Sequence, residues 1–446
     1  MNRGTLKLNK KLFVFSVYMF GLFLTYLQPA FCQDDYQFDL SEIEKEIEKK
    51  PYYIGGFLEF RPVLFGLDRD SAFHKLRFFD QDEGSTLEQY NSRLRLEGSY
   101  QKGIAGLYFR ADSKLWYDYQ GWDGDITFLE GYFALKPGPS FALEAGKKVV
   151  EWGKGYAFNA VNFVSRPKDP DDPTEPVEGY YLAVADWIKS FGGPLKTLAF
   201  TPVILPVTES INDKFGEPDH INFAAKLYGL LWDTDIDLLF FTGKSRTTRY
   251  GLDFARNITE NLAVHGEFAW FPGFDKKSID SQGRLYTEES DIMKYLLGVR
   301  YLTTNNMTFI LEYYHNGAGL DDDADNFYRF VDRAYETYLS TGNSSELDRA
   351  AQLSQGSLST AKPMRDYLYF KASWSEPFDI LYFTPAVFSI INLNDRSLTI
   401  TPELMYNPIT NLELRLRGGL LIGGKNTEFG EKQNDYKVEL RVRYFF

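Results

Sequence analysis

Ten cationic side chains fall at alternate positions in short segments near the two ends of the chain: Arg61, Arg93, Arg95, Arg110, Lys114, Arg415, Arg417, Lys437, Arg441 and Arg443. Residues two apart on a strand point to one face, so each cluster would form rungs of fixed positive charge. Five acids share the same phase: Glu59, Glu97, Asp112, Glu413 and Glu439. Two chemistries fit this arrangement. The rungs could neutralise each other and hold a shape, or the surplus of cations could act on anions passing in water, because ladders of charged side chains set pore selectivity.

A second group lies in 151–178. Trp152 and Gly153 open it, and its second half carries Asp169, Asp171, Asp172, Glu175 and Glu178 between Pro167, Pro170, Pro173 and Pro176. Each proline fixes one backbone dihedral, so these acids are held on a stiffened segment. Hydrolytic or metal chemistry has little to work with. The four histidines, His74, His220, His265 and His315, show no zinc-ligand spacing. His265 stands two before Glu267 on one phase, as a satisfied interior histidine would, and no nucleophile-elbow, phosphate-loop or dinucleotide fingerprint occurs. Asp321, Asp323 and Asp325 lack the turn glycine and bidentate glutamate of a calcium loop and read as a solvated run. No enzyme activity, metal or cofactor is expected.

The rungs require strands, and residues 436–446 supply the clearest one. There Val438, Leu440, Val442, Tyr444 and Phe446 alternate with Lys437, Glu439, Arg441 and Arg443. Such a segment sits between oil and water, and about ten tilted residues cross a bilayer. Alternation elsewhere gives 16 to 18 segments. Tight Gly-, Pro-, Asn- and Thr-rich links near 101–103, 137–140, 232–235, 258–261, 303–306 and 409–411 alternate with longer stretches at 68–86, 118–125, 151–178, 207–220, 272–291, 317–362 and 423–435. The fold class is therefore all-β: a transmembrane antiparallel β-barrel of 16 to 18 strands with long external loops and a short N-terminal helix. In the longest loop, Phe327, Phe330, Val331, Ala334, Tyr335 and Tyr338 follow helical spacing and predict a helix over the mouth.

Composition agrees. Aromatics make up 17% of the 446 residues, yet mean hydropathy is -0.34, as expected when apolar residues are spread over alternating strands. Arg3, Lys7, Lys10 and Lys11 precede an apolar run ending in Ala30-Phe31-Cys32, the layout of a secretory signal covering 1–32. Without that segment, which has four basic and no acidic residues, 45 Lys and Arg face 62 Asp and Glu, a net charge of -17. Such a protein is no nucleic-acid binder. Residues 33–51 carry a capping box at Ser41 and Glu44 and predict a periplasmic or plug helix, and 52–446 the barrel.

The chain's end resembles the C-terminal strand of bacterial outer-membrane barrels. The resemblance makes Tyr444 and Phe446 the insertion signal and the barrel assembly machinery and outer-membrane lipid partners. In position and charge, 151–178 resembles the third loop of general bacterial porins, which folds inward so that its acids face a basic ladder across the constriction. Gly146, Trp152, Gly153, Asn159 and Pro167 resemble a loop of little-characterised porin-like families, some linked to export or uptake of apolar or organic-acid compounds. The expected function is passive diffusion of small polar or anionic solutes across the outer membrane of a Gram-negative cell. The alternative is a structural barrel docking a periplasmic export or electron-transfer partner through its N-terminal helix.

Overall fold

The structure, a computed structural model, describes residues 50–81, 84–320, 323–355 and 363–446. The expected signal segment, nearly all of the expected N-terminal helix, and Asp321 lie outside the described residues. Eighteen strands follow one another: β1 (Tyr52–Leu67), β2 (Thr86–Lys102), β3 (Ala105–Asp118), β4 (Gly121–Gly138), β5 (Phe141–Lys148) and β6 (Tyr180–Ser190). Next come β7 (Leu195–Val207), β8 (His220–Leu231), β9 (Thr234–Thr242), β10 (Arg249–Asn257), β11 (Leu262–Ile279) and β12 (Leu285–Leu302). The last are β13 (Met307–Asn316), β14 (Asp366–Trp374), β15 (Phe383–Asn392), β16 (Leu398–Ile409), β17 (Leu412–Ile422) and β18 (Asn434–Phe445).

Each strand pairs antiparallel with its sequence neighbours, and β1 pairs with β18, so the sheet closes and leaves no edge. Closure runs to the last residue: Gly56 and Phe446 exchange both backbone hydrogen bonds, each at 3.1 Å. The strand count is thus the upper of the two expected values.

Connections at one end are tight except for that between β14 and β15, which spans residues 375–382. At the shortest, Trp232 and Asp233 both take positive φ (49° and 57°), which matches hairpin twist to strand twist. The other end carries the long connections, which in such barrels face outside. Two are shorter than expected. β3 and β4 pair out to Asp118 and Gly121, and β11 and β12 pair out to Ile279 and Leu285. These hairpins project past the bilayer into water, where a ladder tolerates polar residues on both faces, so the loss of alternation at 118–125 and 272–291 did not mark a strand end.

The outward face is apolar: Leu94, Leu96, Leu238, Leu297, Val299, Leu311, Leu416, Val438 and Leu440 are all exposed. Exposed rings form two belts. Tyr90, Tyr117, Tyr181, Tyr250 and Tyr436 stand at the long-loop end, and Tyr100, Trp187, Trp232, Tyr301 and Tyr406 at the tight-turn end. Amphipathic rings collect at the two lipid–water interfaces. A closed sheet satisfies every ladder group internally, which is what spanning hydrocarbon demands. The chain is a closed transmembrane β-barrel of the bacterial outer-membrane type.

The predicted helix over the mouth is present as α2 (Asp323–Thr341). With α1 (Ala72–Phe78) and α3 (Ser345–Gln355) it packs on the inner faces of β11 to β15. Asp332 of α2 ties the external loops together, accepting from Lys75 at 2.6 Å and standing 2.8 Å from Lys425.

Candidate functional site

The connection at 149–179 enters the barrel and crosses it. Its first half is apolar and buried. Val150, Trp152, Val161, Phe163 and Val164 pack on the inward residues of β6 to β9, β11 and β12, while Ala157, Phe158 and Ala160 join the core under α2. Trp152 is 1% exposed. It lies deep in this packing, away from both interface belts, so it is neither a girdle aromatic nor a wall of open lumen.

Local sequence dictates the path. Gly153 sits at φ +98°, where a side chain is strained, and a Cβ there would come within 2.6 Å of the Glu267 carboxylate. Asn159 donates to the Trp152 carbonyl and accepts from Val161 N–H at 3.1 Å, closing a clasp. Inside the clasp, Glu267 accepts from the backbone N–H groups of Lys154 and Gly155, each at 2.6 Å, and of Ala160 at 2.5 Å. Glu312 accepts from Tyr156 N–H at 2.5 Å and Ala157 N–H at 2.8 Å, and pairs with His265 at 2.7 Å. Lys154 reaches Asp237 at 2.9 Å. Asp237, Asp253 and Glu267 are register partners on β9, β10 and β11, and with Glu312 of β13 they form an acidic arc on the inner wall. Strand phase carried the signal for it, an isolated acid at an inward position of an otherwise apolar strand. Only Glu267 was singled out, beside His265.

The second half is polar, and proline sets its spacing. Asp172 N–H bonds the Asp169 carbonyl and Glu175 N–H bonds the Asp172 carbonyl, both at 3.0 Å, with Pro170 and Pro173 at the second position of each turn. Two consecutive turns thus present Asp172 and Glu175 three residues apart, and both meet arginine. Asp172 lies 3.0 Å from Arg441, 3.6 Å from Arg417 and 3.7 Å from Arg415. Glu175 lies 2.8 Å from Arg443, 2.9 Å from Arg93, 3.4 Å from Arg441 and 3.9 Å from Arg95. Burial pushes the Glu175 carboxyl up, but Arg93 and Arg443 outweigh it and hold it at about 2. Asp172 is likewise held below its ordinary value, with Arg417, Arg441 and Arg415 overcoming burial.

Direct contact replaces the expected opposition across an opening. The loop acids seat on the basic wall, and the wall is far closer to neutral than its own rungs imply. Glu59 sits between register partners Arg93 and Arg443 and pairs with Arg443 at 2.6 Å. Asp112 pairs with Arg93 at 2.5 Å and Arg95 at 2.7 Å. Glu403, a residue the sequence reading passed over, pairs with Arg417 at 2.5 Å. Arg110 lies between Glu97 and Glu130 at 2.9 and 3.1 Å, and Arg61 stands 3.9 Å from Glu439. Glu178 ends the loop on Lys147 and Arg166 at 2.5 and 3.0 Å. Asp169 and Asp171 face the outer side of the loop, where the Asp171 carbonyl accepts from Arg417 at 3.3 Å. Lys114 lies opposite Arg93 in the register, and Lys437 is on the outer part of β18. Tyr444 and Phe446 stay at the closing seam.

Space remains on both sides of the strap. A cavity of about 480 Å³ at the long-loop end is lined by Lys168, Asp169, Asp171, Lys432 and Lys437 together with Thr399 and Thr401. One of about 590 Å³ at the tight-turn end is lined by Lys154, Lys168, Arg256, Arg300 and Lys371 with Asp233 and Asp235. A smaller one of about 300 Å³ beneath the basic wall is lined by Arg95, Arg415 and Arg443 with Glu97 and Glu175.

No protein-family model and no curated protein matches this sequence. Among solved structures the barrel is similar to Pseudomonas aeruginosa OccK2 (OpdF) in complex with glucuronate, at 9% identity and TM-score 0.49 over 89% of this chain and 98% of that one. It is also similar to P. aeruginosa OpdQ, at 13% identity and TM-score 0.48 over 88% and 98%, and to P. aeruginosa OprD, at 12% identity and TM-score 0.46 over 88% and 95%. At these identities the likeness is one of barrel architecture alone.

Proposed function

We propose that the protein is a passive diffusion channel for small polar solutes that favours anions. One observation carries this reading: cations outnumber acids in the linings of the outer and inner cavities that flank the strap. With Lys154 matched by Asp237, the inner lining still has Lys168, Arg256, Arg300 and Lys371 against Asp233 and Asp235, and the outer has Lys168, Lys432 and Lys437 against Asp169 and Asp171. Asp233 is further offset by Lys196. Fixed positive charge beside water concentrates anions and repels cations. The arginines of β2, β17 and β18 serve a different end, holding the strap across the lumen. A C-terminal strand that pairs through Phe446 supports recognition by the barrel assembly machinery.

The test is uptake into proteoliposomes with glucose, glucuronate and glucosamine, which share a ring size and differ in charge. Glucuronate is expected to enter fastest and glucosamine slowest. Equal rates for the charged pair would contradict the anion preference, and exclusion of all three from folded protein would contradict the channel.

A further inference from the structure

Lys168 is the one residue common to the linings of the outer and inner cavities. The two cavities do not lie one above the other. The outer is bounded by β1 and β16 to β18, and the inner by β9 to β14, so a solute passing between them must cross beneath or beside the strap where its apolar half gives way to its acidic half. That boundary is Pro167-Lys168-Asp169. Pro167 fixes the entry to it, and the Asp169 turn fixes the exit.

The Lys168 ammonium donates to the Gly155 carbonyl at 3.3 Å, and among the described residues no carboxylate ion-pairs with it. In this it differs from Arg93, Arg95, Arg415, Arg417, Arg441 and Arg443, each of which has at least one carboxylate within 4 Å. A charge already matched by a neighbour has little field left for a passing ion. One matched only by a carbonyl keeps most of it. On the inner side Lys371 lines the same cavity; its ammonium donates to the Tyr156 hydroxyl at 2.7 Å and also has no carboxylate partner among the described residues. On the outer side Lys437 lines the cavity with Lys168.

We propose that Lys168 is the specificity-determining residue of the channel, the single charge that an anion meets in passing from one chamber to the other, with Lys437 and Lys371 as the steps before and after it. This rests on the channel reading above. It differs from the assignment suggested by the sequence, in which the arginine ladder selects.

The experiment is the reversal potential across a planar bilayer under a salt gradient. Parent protein is compared with Lys168→Gln, Lys168→Glu and Lys168→Arg, each first checked for heat-modifiable migration. A unit charge about 7 Å from an ion in water is worth about one RT, favourable to an anion and unfavourable to a cation, so Lys168→Gln is expected to lower the anion-to-cation permeability ratio about sevenfold. Lys168→Glu lowers it further, and Lys168→Arg keeps it. To separate charge from loop misplacement, Lys168→Cys in a Cys32→Ser background is modified after folding. A cationic methanethiosulfonate is expected to raise the ratio, and an anionic one to depress it. An unchanged ratio in the Gln and Glu variants, or a cysteine that neither reagent reaches, overturns the proposal. If the parent still prefers anions in that case, the channel reading stands and only Lys168 falls. A parent with no anion preference takes down the reading itself.

Discussion

Arg441 of β18 donates to the Asp172 carboxylate of the third external loop at 3.0 Å while itself only 1% exposed. Two residues 269 positions apart in sequence thereby tie a crossing loop to the strand that closes the barrel. Removing one partner of a buried pair leaves the other charge uncompensated, at a cost of about 3 kcal/mol.

Replacing Asp172 and Glu175 together by Asn and Gln is therefore expected to do two things. Loop docking weakens, seen as new protease cleavage within 166–178 on folded barrel. The freed guanidinium groups of Arg93, Arg415, Arg441 and Arg443 shift ion selectivity further toward anions. A variant that stays protected and keeps the parent's selectivity would contradict the docking account.

At the opposite wall, Glu267 receives four N–H groups of the strap. Glu267→Ala orphans those of Lys154, Gly155 and Ala160, each worth about 1 to 3 kcal/mol when buried without a partner, while Val161 N–H keeps Asn159. The strap is expected to leave its seat and single-channel conductance to rise, with Glu267→Gln milder because one amide oxygen still accepts. Gly153→Ala acts on the same clasp through strain at positive φ. Unchanged conductance in Glu267→Ala would contradict the anchoring role.

Acid should release the basic side of the strap late. Glu175 has a folded value of about 2 against an ordinary 4.5. A depressed carboxyl contributes stability that is fully present above 4.5 and is lost as pH falls through about 2. Protease protection of 166–178 is thus expected to be flat from neutral pH to 4.5 and to decline below it. A loss already complete at pH 5 would contradict the pairing with Arg93 and Arg443.

Because Phe446 and Gly56 exchange both backbone bonds, deleting Phe446 removes the last rung of the closing seam. Outer-membrane levels are expected to fall while secretion to the periplasm continues. Normal levels, measured by fractionation and heat-modifiable migration, would contradict this.

The barrel was legible in the sequence because a side-chain period of two leaves its mark on every strand. β18 shows it most clearly, with Val438 and Leu440 exposed and Glu439, Arg441 and Arg443 buried. Turn chemistry at residues such as Asn306 marked one end of the barrel. The clusters of the site were legible as types on a phase, and Asp172 and Glu175 do reach the basic wall. What sequence could not convey is distance. Whether Asp172 faces Arg441 across water or touches it depends on how far the loop penetrates, and Trp152, Phe163 and Val164 set that by packing on strands far away in sequence. The acidic arc was obscure for a related reason. Asp237, Asp253 and Glu312 are isolated acids until closure and register align them. Lys168 looked like one charge in a mixed loop, and only the cavities on both sides distinguish it.

The reversal potential of the unmodified protein in a planar bilayer under a salt gradient tests the central claim most directly. The account predicts stable conductance with anion preference that shrinks as salt screens the fixed charges. Heat-modifiable, correctly folded barrel that fails to conduct, or that conducts with a cation preference, would contradict it.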